Sequence, residues 1–398
     1  MSDQDKRLGV YFHIPFCASK CAYCDFCSLP GRDKLMPYYQ DALLIQLQET
    51  MPRMTDYFID TVYFGGGTPS YYGARRIVEI LQELKVTNRL MKQSEITVEC
   101  NPDSVRRKEL RMLRKEGVNR LSIGAQSAND DILRLIGRRH NWRQVEMAVK
   151  RARKAGFRNV SLDLIYGLPS QTREDWADTL TKALALKPAH ISCYGLRLEE
   201  GTPMYDEYEG TDILPSDDDQ ADMYLYAVDF LSRHGFRQYE ISNFARPGFA
   251  SRHNLKYWML GEYAGFGPGA HSDMGGVRFA YERDLDAYIA GELRLSEMEE
   301  IPPLDRDLEY IMLSLRTVQG IDSKYFERQF RQKFQPMEEL LVQYESHGFA
   351  VRTEKGWRLT PRGFFVSNAI IVSLQEAVGR ARQQKLRRAA EGDFKIDV

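Results

Sequence analysis

Near its start the chain reads His13-Ile-Pro-Phe-Cys17-Ala-Ser-Lys-Cys21-Ala-Tyr-Cys24-Asp-Phe-Cys27, a stretch that contains four of the six cysteines. The spacing Cys17-x3-Cys21-x2-Cys24 places three cysteines on one short loop. Three thiolates at this spacing can ligate three irons of a [4Fe-4S] cluster and leave the fourth iron open. The amino and carboxylate groups of S-adenosylmethionine suit that open position. The loop therefore predicts a cluster held by Cys17, Cys21 and Cys24.

Two other interpretations of the cysteines stay open at this point. With Cys27 added, four cysteines would satisfy a structural zinc site, although such sites usually pair two separated Cys-x2-Cys units. A ferredoxin-type loop has its spacings in a different order. Cys27 is either a fourth ligand or a small buried residue, and we expect no ligation. Cys100 and Cys193 lie in strand-like segments and are expected in the core.

Strand-like and helix-like segments alternate through the first half of the chain. The strand-like segments are short and rich in Val, Ile, Tyr and Phe, and amphipathic stretches separate them. They are Val10–Pro15, Thr61–Phe64, Glu95–Glu99, Arg120–Ile123, Asn159–Leu164 and His190–Leu196. This alternation predicts an α/β fold, a partial (β/α)6 TIM-like barrel with a parallel sheet. Barrel sites gather at the carboxyl ends of the strands, and the unusual residues of this sequence fall there.

The second half predicts an extension of this domain and then a smaller one. Ser216 is typical of a helix N-cap, Gln238–Ser242 is strand-like, and a glycine-rich stretch follows. After Leu285 come helix-like segments, a hairpin over Ala350–Leu359 and a final helix. We expect domains at 1–284 and 285–398, the second mainly helical and winged-helix-like.

Composition excludes several classes of protein. The 398 residues carry 55 basic and 56 acidic side chains, a net charge of -1, which disfavours a nucleic-acid partner. The polar first residues lack the apolar core of a signal peptide, and no apolar run is long enough to span a bilayer. We therefore expect a cytoplasmic protein.

Taken together, these motifs resemble the radical S-adenosylmethionine (radical SAM) superfamily, in the branch of oxygen-independent coproporphyrinogen III oxidase. The resemblance covers nearly the whole chain and includes Gly65-Gly-Gly-Thr-Pro69, Glu99-x-Asn-Pro102, Gly124-Ala-Gln-Ser127 and Asp163-Leu-Ile-Tyr-Gly167. Singly, each has a simpler explanation, such as a turn for the glycines or a surface charge for Arg138. The resemblance implies S-adenosylmethionine binding by Tyr11, Gly66, Gly67, Thr68, Glu99, Gln126, Arg138 and Asp163.

Within this branch the sequence is closer to the HemW group of heme chaperones than to the oxidases. The oxidases carry a fourth cysteine two residues after the third, where this chain has Phe26. The segment His253-Asn254-Leu-Lys-Tyr257-Trp258 resembles the HNxxYW motif associated with heme in that group. A neutral His nitrogen is a good axial ligand of heme iron, and Tyr and Trp can stack on a porphyrin. The alternative is a capped turn with aromatic core residues. His271 is a second candidate.

The resemblance implies a chaperone that carries heme as cargo and passes it to an apo-hemoprotein. A respiratory recipient at the inner membrane face and a homodimer are both compatible with it. The basic segment from Arg380 to Arg388 is either a membrane contact or a solvated helix end. The alternative function is oxidative decarboxylation of coproporphyrinogen III, and a third is a radical enzyme with an unrelated substrate.

Overall fold

Twelve strands form one sheet in the computed structural model, which describes residues 6–87 and 90–390. The order across the sheet is β14-β13-β12-β11-β1-β4-β5-β6-β7-β8-β10-β9. The strands are β1 (Lys6–Ile14), β2 (Phe16–Cys17), β3 (Leu29–Pro30), β4 (Tyr57–Gly66), β5 (Leu90–Cys100), β6 (Arg120–Gln126), β7 (Asn159–Tyr166), β8 (His190–Gly195), β9 (Arg237–Gln238), β10 (Asn243–Ala245), β11 (Tyr263–Phe266), β12 (His271–Met274), β13 (Val277–Tyr281), β14 (Leu295–Glu300), β15 (Ile321–Asp322), β16 (Ala350–Arg352) and β17 (Gly356–Leu359).

Helices separate the parallel strands, as βαβ connections require. They are α1 (Met36–Thr50), α2 (Pro69–Tyr72), α3 (Ala74–Thr87), α4 (Arg107–Glu116), α5 (Asp130–Leu135), α6 (Trp142–Lys154), α7 (Arg173–Ala185), α8 (Pro203–Tyr208), α9 (Asp217–Arg233), α10 (Arg252–Trp258), α11 (Leu285–Ile289), α12 (Asp307–Ser314), α13 (Ser323–Phe330), α14 (Gln335–Ser346), α15 (Pro361–Phe365) and α16 (Ser367–Ala390). Short 3-10 helices cover Asp33–Leu35, Met51–Met54 and Pro303–Asp305.

The six predicted strands are confirmed as β1 and β4 to β8, which pair in parallel in chain order. Two features were not predicted. β11 also pairs in parallel with β1, and the antiparallel strands β12, β13 and β14 continue the sheet beyond it. The strand predicted over Gln238–Ser242 does not form as one element: Gln238 ends β9, Glu240 forms an isolated β-bridge, and β10 begins after Ser242.

Residues alternate along the parallel strands between an apolar and a polar face. On the apolar face of β1, the Phe12 ring lies 4.8 Å from that of Phe64 and 5.4 Å from that of Phe266. Each such buried side chain contributes about 1.5–3 kcal/mol through burial. The opposite face is polar: strand pairing sets Glu99 beside Ser122, and Asp163 beside Ser192. The polar face forms the site described below.

Side-chain caps set the starts of several helices. Asn141 and Gln144 form a capping box at α6, and Thr172 and Asp175 form another at α7. The N-cap predicted at Ser216 is confirmed, because its hydroxyl accepts from the backbone N–H of Asp219. Each cap satisfies backbone donors that would otherwise lack a partner at the helix start.

The chain divides into two compact units. The first comprises residues up to 237 together with 242–256 and 261–300, and it contains the parallel sheet. The second comprises 238–241, 257–260 and the residues from 301 onwards. It is mainly helical and contains the three-stranded sheet β15-β17-β16. The domain boundary expected after residue 284 stays a prediction, since compactness alone does not define an independently folding domain.

The C-terminal elements largely follow their predicted order. The hairpin predicted over Ala350–Leu359 forms as β16 and β17, which pair antiparallel. The final helix, predicted over Gly363–Leu374, forms as two helices: α15 ends at Phe365, and α16 then continues to Ala390. Within residues 6–87 and 90–390, none of the helices combines the length and the apolar character needed to cross a membrane.

Candidate functional site

A cavity of about 450 Å³ lies in the first unit, lined by residues from the cysteine loop and from the ends of the parallel strands. It brings together most of the residues that the sequence predicted for a site. The predicted residues in its wall are Cys17, Cys21, Cys24, Gly66, Gly67, Thr68, Glu99, Gln126, Arg138, Asp163 and Asn254. Tyr11, His253, Tyr257 and Trp258 are not among its lining residues, and the last two belong to the second unit.

Backbone hydrogen bonds hold the cysteine loop at both ends and in the middle. At its ends, β2 pairs in parallel with β3. In its middle, the Ala22 N–H donates to the Ile136 carbonyl at 3.2 Å, and the Ala22 carbonyl accepts from the Met204 N–H at 3.0 Å. Ala22 and Tyr23 also pack against a buried apolar cluster that includes Ile136. The positions of the three cysteines are therefore set by the fold.

Each cysteine sulfur has at least one polar neighbour within hydrogen-bonding distance. The Cys17 sulfur lies 3.2 Å from the Thr68 hydroxyl, and the Cys24 sulfur 3.8 Å from the Ser28 hydroxyl. The Arg138 guanidinium donates to the Cys21 sulfur at 3.4 Å. Burial raises the pKa of the Cys17 and Cys24 thiols. Hydroxyl and guanidinium donors around thiolate ligands are the usual surroundings of an iron–sulfur cluster.

Among the residues that the structure describes, no three His, Cys, Asp or Glu side chains converge as ligands of one metal ion would. A [4Fe-4S] cluster takes one thiolate for each iron, so its cysteines are spaced around the cluster rather than around one ion. The donor set of this loop, three cysteines in one cavity wall, fits a cluster of that kind.

The glycine segment at the end of β4 passes unusually close to the cysteine loop. Gly66 has φ +106°, and a Cβ atom there would lie 2.7 Å from the His13 ring. A Cβ atom on Gly67 would lie 2.8 Å from the Phe16 carbonyl and 2.9 Å from that of Ile14. The Gly67 N–H donates to the Ile14 carbonyl at 2.8 Å. Only glycine allows this approach, which brings backbone beside the cavity.

Glu99 is the second-last residue of β5 and places a carboxyl group in the cavity wall. The Tyr63 hydroxyl donates to it at 2.7 Å. Burial raises the pKa of Glu99 to about 7, even though the Tyr63 hydrogen bond acts in the opposite direction. At neutral pH this carboxyl is therefore close to half ionised, and a cationic ligand beside it would favour the ionised form.

Asp163 is held by serines of three neighbouring strands. Its carboxylate accepts from Ser122 at 2.8 Å, from Ser192 at 2.9 Å and from Ser161 at 3.2 Å. Burial raises the pKa of Asp163, and the serine hydrogen bonds oppose that rise. The carboxylate is thereby fixed in one orientation at the cavity wall.

Gln126 Oε1 and Arg138 Nε are buried at the cavity wall and have no hydrogen-bond partner. Gln126 also has φ +55°, a conformation that costs free energy in a non-glycine residue. An unsatisfied buried acceptor and donor in one cavity are the groups that a polar ligand would satisfy. The cavity therefore fits a ligand that carries both a donor and a carboxylate, as S-adenosylmethionine does.

His253 lies inside the protein and not in the cavity wall. Its side chain is 1% exposed, its Nδ1 lies 2.8 Å from the Thr61 hydroxyl, and its ring stacks on Tyr63 at 5.1 Å. Burial lowers the pKa of His253 to about 3, so the ring is neutral. Ligation of heme iron by His253 stays a prediction, and it would require the ring to leave this stack.

Family models and individual relatives agree on the protein family to which this chain is similar. The model of the Radical SAM superfamily matches residues 11–183, and that of the HemN C-terminal domain matches 301–366. The chain is 35% identical to the heme chaperone HemW of Lactococcus lactis subsp. lactis, over 92% of this chain and 96% of the relative. It is 34% identical to the heme chaperone HemW of Bacillus subtilis, over 91% and 97%.

The chain belongs to the HemW family of radical SAM proteins.

A solved structure supports the same fold for this HemW-family chain. Coproporphyrinogen III oxidase (HemN) of Escherichia coli, a radical SAM enzyme, superposes with a TM-score of 0.82 at 25% identity, over 94% of this chain and 91% of that one. The radical SAM family implies a [4Fe-4S] cluster and S-adenosylmethionine.

Sequence reasoning missed several cavity residues. Arg120 is 1% exposed and lines the cavity, as do Ser122 and Ser192. Asn101 accepts from Arg138 at 2.6 Å and donates to the Thr68 hydroxyl at 3.3 Å, so it connects two predicted site residues. The signal was present as polar residues at every second position of the strands, which marks a polar interior face.

Proposed function

We propose that this chain is a heme chaperone, which binds heme and passes it to an apo-hemoprotein. The observation that carries the proposal is similarity over nine-tenths of the chain to relatives named heme chaperone HemW. Phe26 supports it, because the coproporphyrinogen oxidases carry a cysteine at the corresponding place of the loop.

In this proposal, Cys17, Cys21 and Cys24 hold the [4Fe-4S] cluster. Thr68, Ser28 and Arg138 each donate toward one of the three sulfurs and so stabilise the thiolate form. Cys27 has no such role: His13 fixes its carbonyl at 2.8 Å, while its side chain packs beside Gly269. When bound, the cluster supplies an electron to S-adenosylmethionine.

The protein side of the S-adenosylmethionine site follows from the cavity wall. Backbone groups of Gly66, Gly67 and Thr68 lie close to the ligand. Arg138 Nε donates to the carboxylate of the ligand. Asp163, which three serines hold in place, accepts hydrogen bonds from a diol of the ligand. Glu99 and Gln126 face a cationic or hydrogen-bond-donating group. Tyr11 is not in the cavity wall and acts indirectly, because its hydroxyl lies 3.2 Å from His13 Nδ1.

Heme would bind at the outer part of the same cavity. Phe26 and Tyr194 line it and are 68% and 40% exposed, so both present aromatic surface on which a porphyrin can stack. Asn254, from the predicted heme motif, also reaches the cavity wall. Tyr257 and Trp258 remain part of the proposal through the motif alone.

The remaining parts of the proposal concern location and partners. We place the chain in the cytoplasm, where it meets a recipient at or near the inner membrane face. The exposed basic residues of α16 up to Arg387 offer charge for anionic lipid. A homodimer remains part of the proposal.

An anaerobic hemin titration of the cluster-reconstituted chain, followed by Soret absorption, tests the proposal. We expect saturable one-to-one binding. Absence of saturable binding would refute the chaperone function, and coproporphyrinogen decarboxylation would be assayed next.

Variants in the same titration locate the heme. Phe26→Ala weakens binding if the cavity mouth holds the porphyrin, whereas His253→Ala or His271→Ala weakens it if either ring ligates the iron. His347→Ala removes another exposed histidine and serves as the matched control for His271→Ala. Because His253 is buried, its variant is interpreted only if its melting temperature stays within a few degrees of that of the unmutated chain.

A further inference from the structure

The guanidinium of Arg138 is fixed by three hydrogen bonds. Its Nη1 donates to the Cys21 sulfur at 3.4 Å, and its Nη2 donates to Asn101 Oδ1 at 2.6 Å and to the Gly124 carbonyl at 3.2 Å. A planar fork with partners on both Nη atoms has little freedom to turn away from the sulfur.

Backbone contacts fix the same arrangement from the other side. Gly137, next to Arg138, has φ +75°, and a Cβ atom there would lie 3.3 Å from the Ala22 nitrogen and 3.7 Å from the Cys21 Cα. The preceding residue, Ile136, accepts the Ala22 N–H at 3.2 Å. The distance between Arg138 and Cys21 is therefore determined by packed main chain and not by side-chain rotamers alone.

The three cysteines differ in the charge of their partner. Thr68 and Ser28 bring neutral hydroxyls to Cys17 and Cys24, whereas Arg138 brings a full positive charge to Cys21. Hydrogen bonds from charged donors are about twice as strong as neutral ones.

We infer that Arg138 sets the reduction potential of the cluster, through its charged hydrogen bond to the Cys21 sulfur. The inference rests on the proposed function, in which Cys21 is a cluster ligand. Uptake of one electron from an external reductant adds one negative charge to the cluster and breaks no bond. A guanidinium beside a ligand sulfur stabilises that added charge and raises the potential. Toward the cluster, Arg138 acts only through the Cys21 sulfur and is in that respect a positioning residue.

This role leaves a nitrogen for ligand binding. The two Nη atoms hold Cys21, Asn101 and Gly124, while Nε is buried without a partner. A carboxylate bound at Nε would weaken the field of the guanidinium at the sulfur. Binding of such a ligand and reduction of the cluster are thus coupled through one side chain.

A potentiometric titration followed by electron paramagnetic resonance tests the inference, with dithionite as the reductant and no S-adenosylmethionine present. At the midpoint potential of the unmutated chain, we expect Arg138→Gln to lower the ratio of reduced to oxidised cluster about tenfold. For a one-electron couple, that is a midpoint about 59 mV more negative. Arg138→Lys keeps the charge but not the fork, so its shift is smaller.

Arg139→Gln is the matched control, because Arg139 is the adjacent arginine, is largely exposed and pairs with Asp103 at 3.9 Å. Its midpoint should equal that of the unmutated chain. An unchanged midpoint in Arg138→Gln with full iron content, or an equal shift in Arg139→Gln, overturns the inference and leaves the proposed function intact. If Arg138→Gln holds no cluster, Arg138→Met, which is also neutral and has an unbranched side chain, supplies the test, and an unshifted midpoint there overturns the inference. Failure of the unmutated chain to hold a cluster overturns both.

Discussion

At the scale of single residues, Glu99 is a buried carboxyl group whose raised pKa makes the stability of the chain depend on pH. The Tyr63 hydroxyl donates a hydrogen bond to its carboxyl group. Burial excludes solvent from this group and raises its pKa from 4.5 to about 7. Between these two pH values the folded chain keeps a proton that the unfolded chain has released. The free energy of unfolding therefore falls as pH rises through this window, and the loss is complete above pH 7.

We predict that Glu99→Gln is more stable than the unmutated chain at pH 8, by the order of a few kcal/mol, and that the difference disappears near pH 4.5. Glutamine keeps an acceptor for Tyr63 and cannot ionise. Chemical denaturation across pH 4.5–8 measures this difference, with surface Glu146→Gln as control. A difference that does not change with pH would contradict the account of Glu99.

Gly67 gives a second prediction at this scale, which concerns space rather than charge. Because a Cβ atom there would lie within 2.9 Å of two backbone carbonyls, neither of which can move alone, Gly67→Ala should cost about 1–3 kcal/mol or more. Gly379→Ala, in α16 with nothing within 4 Å, should instead stabilise by roughly 0.5–1 kcal/mol. Equal melting temperatures for the two variants would show that the close approach at Gly67 is not required.

At the scale of elements, the N-cap at Ser216 was predictable from the sequence, because a cap depends on few neighbouring residues. Ser216 was predicted from its position before an amphipathic run, and its hydroxyl does accept the Asp219 N–H. We expect Ser216→Ala to cost about 1 kcal/mol, since that N–H loses its partner. Ser232→Ala, an exposed position on the same helix, should change stability by a few tenths at most. Thermal unfolding measures the stability of both variants, and equal stabilities would show that the Ser216 cap does not stabilise the helix.

Strands of the parallel sheet were predictable for a similar reason, since each is a short apolar run between turn residues. β11 was missed because Tyr263–Phe266 contains Ala and Gly, and only its partner β1 makes it a strand. Pairing between residues that are far apart in sequence has no local signature.

At the scale of the whole molecule, the sequence predicted the order of the site residues but not their surroundings. The neighbouring parallel strands β4 to β7 carry Gly66, Glu99, Gln126 and Asp163 to one cavity, as the predicted order of these strands required. The serines around Asp163 were not predicted, because their role depends on the register between strands.

His253 marks the limit of what a motif can predict about the heme site. A histidine in a short motif gave no information on burial, and the structure packs its ring among Thr61, Tyr63 and Tyr11. Burial depends on the packing of several strands together, which no single segment encodes.

We propose that this radical SAM chain carries heme and does not decarboxylate a porphyrinogen. Anaerobic incubation of the cluster-reconstituted chain with coproporphyrinogen III, S-adenosylmethionine and dithionite tests it most directly, with the products quantified after oxidation to their fluorescent porphyrins. The account predicts no protoporphyrin above the level of the cluster-free control, from a preparation that binds one equivalent of hemin. Repeated turnover to protoporphyrinogen IX would contradict it and identify the chain as an oxidase.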